Sequence, residues 1–193
     1  MKLTIRDLIN AGMFSILILI VTFLAGMIGF LPFMMPFICF SCGLFSALVF
    51  MLYATKIRGF GMILIVGILE GLLFVSSGHG IYAILSFVIG ALLAEMVYKA
   101  FGYQNKKSAR LAWTVYALGY SGNLVPLYFA RETYAQSLIE GGYGQEFVEQ
   151  LLFYMPTWSL LPVVLLGCVG SYVGATIGMK LLKKHFEKAG IAS

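Results

Sequence analysis

Few side chains in this sequence have the chemistry to act on a ligand, and most of them interrupt long apolar runs. Glu70 is the sharpest case, standing inside the apolar stretch 60–76. A lone charge in lipid costs several kcal/mol, so a carboxylate there must be neutral, paired or facing a water-filled cavity. Two readings stay open: a carboxylate of a binding site, or a protonated carboxyl bonded to a neighbouring helix. Glu95 stands four residues before Lys99, the spacing of a surface ion pair on a helix. His79 lies in Gly78-His79-Gly80, where the glycines free the backbone to turn and leave the imidazole uncrowded. It reads either as a ligand contact or as a solvated turn residue, and His185, in a basic tail, has no assigned role. Cys39 and Cys42 have CxxC spacing, but further metal ligands are missing nearby, so they read as small apolar residues.

A second group of polar residues lies in Gly119-Tyr-Ser-Gly-Asn-Leu-Val-Pro126 and just beyond it. Pro126 removes a backbone donor and frees a carbonyl, which a membrane helix tolerates where it lines a cavity or packs on protein. Tyr120, Asn123, Tyr128 and Arg131 then face a common pocket; the alternative is a structural kink with interfacial tyrosines. Tyr154 and Trp158 suit an aromatic belt. The chain has no phosphate-binding Gly-rich loop ending in Lys-Ser or Lys-Thr and no HExxH, and no span holds a carboxylate pair for a metal. These absences argue against ATP hydrolysis by this chain and against an intramembrane metalloenzyme. The spans are too bare of polar groups for a channel.

The elements that must position these residues are membrane helices. Of 193 residues, 61% are hydrophobic and 11% charged, about half the charge a soluble domain needs to cover its surface. The mean hydropathy is +0.94. A spanning helix takes about 20 mostly apolar residues. On that rule the chain is an all-α integral membrane protein, one domain over 1–193, with six transmembrane helices near 8–30, 37–55, 60–76, 81–98, 111–130 and 158–182. The Met-Lys start leads into a long apolar run with no small-residue cleavage site, as in a retained first helix.

Charge placement gives the orientation. With six spans, Lys2, Arg6, Lys56, Arg58, Lys99, Lys106, Lys107, Arg110, Lys180, Lys183, Lys184 and Lys188 share one side and Arg131 alone takes the other. By the positive-inside rule both termini are cytoplasmic. The same scatter of short basic clusters, with no continuous basic stripe, argues against nucleic-acid binding despite the net charge of +5. The longest connection, 131–156, carries Glu132, Glu140, Glu146 and Glu149. After Gly141-Gly-Tyr-Gly144 its Phe147, Leu151, Leu152 and Phe153 suggest a short amphipathic helix, read as an outer lid or interfacial segment. On the last span Gly170, Gly174 and Gly178 recur every four residues, a row for close helix packing. The chain shows no internal repeat of the kind secondary transporters carry.

Six short spans, about 190 residues and the opening Lys-Leu-Thr-Ile-Arg-Asp-Leu-Ile-Asn-Ala-Gly-Met-Phe resemble the substrate-binding S components of energy-coupling factor (ECF) transporters, in particular their MptD-like (Trep_Strep) branch. The resemblance covers essentially the whole chain and rests on overall pattern rather than on a catalytic signature. It implies a non-enzymatic subunit of a bacterial cell-membrane importer that binds a micronutrient near the outer face. Its partners are then membrane lipid, a transmembrane coupling protein and two cytoplasmic ATPases. The family's Ala-x-x-x-Ala docking pair on the first span reads Ala11-Gly-Met-Phe-Ser15 here, a departure that keeps the residue small. The implied pocket draws on Phe33, Met34, Met35, Glu70, His79, Tyr82, Asn123, Tyr128 and Arg131, a lining suited to a vitamin-like organic ligand. Haem is a specific alternative, with His79 or a methionine as axial ligand and Arg131 pairing with a propionate. A bare transition metal finds too few ligands. Two other classes stand beside the importer subunit: a membrane enzyme using Glu70 or His79, and an assembly protein without a ligand.

Overall fold

The computed structural model describes residues 3–77, 80–103 and 105–186, without the side chains of 185 and 186. The described chain is helical, with no strand. Helix α1 (Ile5–Gly26) starts on a reciprocal cap: Asp7 N–H donates to Thr4 Oγ1 at 3.3 Å and Thr4 N–H to Asp7 Oδ2 at 2.8 Å. Such a cap satisfies helix-start donors that lipid cannot serve. Two 3-10 turns, Met27–Phe30 and Pro32–Phe37, then reverse the chain into α2 (Ile38–Ala54). Helices α3 (Met62–Ser76) and α4 (Ile81–Phe101) follow as an antiparallel pair.

The next apolar run is not one helix. It divides into α5 (Lys106–Tyr116), α6 (Leu118–Ser121), a 3-10 turn at Gly122–Leu124 and α7 (Val125–Phe129). Pro126, in the first turn of α7, has no N–H to donate, and that turn is where a proline is tolerated. Helices α8 (Arg131–Glu140) and α9 (Gln145–Tyr154) form a short hairpin, and α10 (Leu160–Leu181) closes the bundle.

Four stretches are long and apolar enough to cross a membrane: Ile5–Phe30, Pro32–Ala54, Ile81–Phe101 and Thr157–Lys184. The chain is therefore a membrane-embedded, multi-pass helical protein. The third expected span is the shorter apolar helix Met62–Ser76, and the fifth is the segmented run just described.

Small residues bring the helices together. A methyl group added at Gly170 would meet the Cα of Phe40 at 2.8 Å, at Gly174 the Cα of Leu44 at 2.8 Å, and at Gly178 the Cα of Leu48 at 3.2 Å. The glycine row of α10 thus lies directly on the backbone of α2, gaining dispersion contact where lipid offers no hydrophobic drive for association. Gly67 does the same for α3 on α4, where its added methyl would overlap Ala91. Trp113 fills the centre, donating Nε1–H to Gly43 O at 2.9 Å and stacking on Tyr116 with ring centroids 5.4 Å apart.

Two sequence expectations need correction. Ala11 and Ser15 are 0% and 1% exposed, with Ser15 Oγ donating to Ala11 O at 2.8 Å. They belong to the packed interior of α1, because small side chains there let α2 and α3 approach. The outward face of α1 carries Ile9, Met13, Ile16, Leu17 and Ile20 instead. A second chain docking on α1 would meet these large side chains rather than a small-residue row.

Glu95 is no surface partner of Lys99. It is fully buried, and its Oε1 accepts from the N–H groups of Gly61, Ile63 and Leu64 at 2.8, 2.6 and 3.3 Å. The carboxylate of α4 thereby caps the start of α3, where helix-end donors and the helix dipole both favour a negative group. Gly61 enters that cap with φ +104°, a left-handed conformation that needs glycine. Lys99 instead lies over the Phe60 ring at 5.7 Å.

Candidate functional site

The end of the bundle at which α1 ends and α2 begins holds a partly open cavity of about 480 Å³. Its walls come from the last turns of α1 and the turn after it (Thr22, Phe23, Leu24, Gly26, Met27, Gly29, Phe30), from Met35, and from the first turns of α2 (Ile38, Cys39, Cys42). Phe74 of α3 and Tyr120, Asn123 and Leu124 of the segmented run complete the lower wall. The α8–α9 hairpin covers it with Tyr134, Leu138, Tyr143, Phe147 and Leu151. No charged side chain is among these residues, so the site offers aromatic faces, aliphatic surface, sulfur and a few neutral polar groups.

The cover follows from the local sequence. Gly142, at φ +93°, turns the chain between α8 and α9. Phe147 and Leu151, four residues apart, share one face of α9, and Tyr143, just before the helix, packs its ring on Phe147 with centroids 5.0 Å apart, while Phe153 and Glu149 point away, Phe153 being 76% exposed. Burial pushes the Tyr134 phenol above its usual range, keeping it a neutral hydroxyl.

Arg131 fastens this hairpin. Its guanidinium donates to Leu152 O at 2.5 Å, in the last turn of α9, and to Met155 O at 2.7 Å, just past that helix's end. A cation at a helix C-terminus meets both unsatisfied carbonyls and the negative end of the helix dipole. Next to it Tyr128 and Ser159 share a hydroxyl hydrogen bond of 3.0 Å. Arg131 and Tyr128 therefore hold the cover in place rather than line the cavity. Arg131 lies outside the cavity wall and is bonded to these carbonyls, so the expected pairing with a haem propionate has no support in the cavity's geometry.

Of the expected lining residues, Met35 and Asn123 stand in the cavity wall. The Oδ1 of Asn123 is buried with no hydrogen-bond partner among the described residues. A buried acceptor left unmade costs about 1–3 kcal/mol, which a ligand donor would recover. Phe33, Met34 and Tyr82 are 49%, 37% and 48% exposed and lie outside the wall. His79 lies outside the described residues.

Glu70 is not in the wall either, although Phe74, one turn further along α3, is. The Glu70 side chain is fully buried, and both carboxyl oxygens lack a hydrogen-bond partner among the described residues. Its charge would act on Tyr116 and Tyr120. The Tyr116 hydroxyl is likewise unpartnered, whereas Tyr120 OH and Ser46 Oγ bond to Thr22 Oγ1 at 3.0 and 2.8 Å.

Several wall residues escaped the sequence reading. Cys39 and Cys42 read as small apolar residues from the sequence, and the i,i+3 spacing on α2 turns both toward the cavity. Thr22 was legible only as a polar residue near the end of an apolar run. Tyr134 and Leu138, four apart on α8, carry a helical stripe that could have marked the underside of the cover.

Residues 5–188 match the family described as hypothetical bacterial integral membrane protein (Trep_Strep), and the chain belongs to that family. Neither the curated proteins nor the solved structures contain a match.

Proposed function

We propose that this Trep_Strep family member is a non-enzymatic, substrate-binding subunit of an ECF-type importer. It captures a small neutral organic molecule, vitamin-like in size and largely aromatic or aliphatic, and delivers it inward together with a coupling protein and two ATPases. The observation that carries this reading is the covered 480 Å³ cavity with a buried acceptor, Asn123 Oδ1, unpartnered among the described residues, in a mostly apolar wall. An uncharged wall suits a neutral ligand, since a buried ion without a partner is costly.

On this reading the chain crosses the bacterial cell membrane six times, with α3 and the segmented α5–α7 run as the two short crossings. The basic residues of the α1 start, the α2–α3 connection, the α4–α5 connection and the α10 end face the cytoplasm. The cavity and its acidic cover then face outward. The coupling protein meets a face other than the buried Ala11–Ser15 pair.

The test is purification of the tagged protein from its own membranes, with mass spectrometry of both the associated chains and the retained small molecules. A coupling protein, two ATPases and a neutral organic ligand are expected. A protein that comes alone and empty, or that turns over a substrate by itself, would overturn the assignment.

A further inference from the structure

Glu70 takes no part in the cavity wall, yet it sits at the base of the cavity as the most completely buried unpartnered acid described. An ionised carboxylate without partners is not sustained in a dry, lipid-surrounded interior, where even a neutral polar group needs a hydrogen bond. Both oxygens of Glu70 and the hydroxyl of Tyr116, which a charge on Glu70 would reach, lack partners among the described residues. The groups facing them are uncharged. Tyr116 and Tyr120 come from α5 and α6, and Thr22 from α1. Ser46, Cys42 and Tyr53 face the two tyrosines from α2, while α4 presents Phe87 and Ala91, which do not titrate. The hydroxyls of Thr22, Ser46 and Tyr120 are already bonded to one another, so they do not converge on a point as ligands of a metal cation would.

We propose that Glu70 is a proton-binding site beneath the cavity, neutral while the base of the cavity is dry and deprotonated when water enters past Tyr120. Two residues make the link to the cavity. Tyr120 faces both the cavity and Glu70, and Phe74 lies on the wall one helical turn from the acid. In the step itself the carboxyl O–H bond breaks and its proton passes to cavity water, leaving a carboxylate that the same water hydrates. A bound ligand excludes that water and holds the proton on Glu70. Occupancy of the cavity and protonation of Glu70 are thereby linked, whatever the ligand and whatever partners carry it.

Infrared spectroscopy of the full chain in lipid nanodiscs tests this. The carbonyl band of a protonated carboxyl is expected at about neutral pH. The isosteric Glu70→Gln should remove it, and Glu95→Gln should leave it. Transfer into heavy water should exchange the Glu70 proton about tenfold faster in Tyr120→Ala than in the wild type, because the way from the cavity is open. Should Tyr120→Ala not fold, Phe74→Ala opens the same wall. A band unchanged by Glu70→Gln, an exchange rate indifferent to both wall variants, or a band abolished by sodium would each overturn the proposal. None of these readouts depends on a coupling protein, so a failed co-purification would leave this result standing.

Discussion

The guanidinium of Arg131 reaches across the α8–α9 hairpin to the carbonyl of Met155 at 2.7 Å and fixes the cover at its base. Removing it in Arg131→Ala leaves the carbonyls of Leu152 and Met155 without their cationic donor, a loss of about 2 kcal/mol for two charge-assisted hydrogen bonds on a partly buried group. The amides of α9 should then exchange with deuterium faster while those of α10 stay protected. Uniform exchange across the chain would show that the latch is not local. Arg131→Lys should recover only part of the effect, since an ammonium lacks the planar fork.

The capping of α3 by Glu95 predicts a stability loss out of proportion to a single side chain. Glu95→Ala strands three backbone donors, at a cost of about 2–4 kcal/mol, and Glu95→Gln, which keeps one acceptor oxygen, should fall between it and the wild type. Thermal unfolding in detergent measures the order. A Glu95→Ala protein as stable as wild type would mean that water or detergent serves those donors equally well.

Gly174 is the tightest point that a small substitution can probe on α10. Gly174→Val has to push α10 off Leu44, and overpacking of that kind costs about 1–3 kcal/mol or more. Size-exclusion profiles should show a smaller monodisperse fraction. Gly12, where an added methyl group meets nothing within 4 Å, provides the contrast, and Gly12→Ala should be silent.

Ala11→Leu is expected to destabilise the chain on its own, before any partner is present, because Ala11 is 0% exposed. Melting of the isolated protein checks this. If Ala11→Leu melts like wild type but loses partners on co-purification, α1 turns in the membrane to present this face.

Asn123→Leu removes a buried acceptor of the cavity wall that is unpartnered among the described residues, and keeps the volume close. Retention of the native ligand should fall about 10- to 100-fold by quantitative mass spectrometry, the usual penalty for one lost buried hydrogen bond. Undiminished retention would mean that the ligand meets only the apolar wall.

The sequence was most readable where physics leaves a single option. Glycines four apart on α10 had to mean close approach, and Gly141–Gly144 followed by an apolar stripe had to mean a turn into an amphipathic helix. It was least readable on α1. In lipid both the packed face and the exposed face of a helix are apolar, so hydrophobic periodicity does not distinguish them. Ala11, Phe14, Ser15, Ile18, Thr22 and Ala25 are buried while Ile16, Ile20 and Leu24 face outward, large apolar side chains standing on both faces. The expected docking pair, Ala11 and Ser15, falls on the buried face for that reason. Glu95 misled for a different one, since its partners are backbone amides 31–34 residues away, which no local spacing announces. Met35 entered the expected pocket through the family resemblance and Asn123 also through the interruption at Pro126, and both line this cavity, whereas Cys39 and Cys42 look like any small residues until α2 is turned toward it.

The latch on the cover grips main-chain oxygens, not side chains. The side chains of α9 that look into the cavity are therefore free to change without loosening the closure. Copies of this gene under pressure to accept a new compound can exchange Phe147 or Leu151 and inherit a working cover unchanged. Divergence among relatives should then concentrate on those positions while an arginine persists at the start of α8.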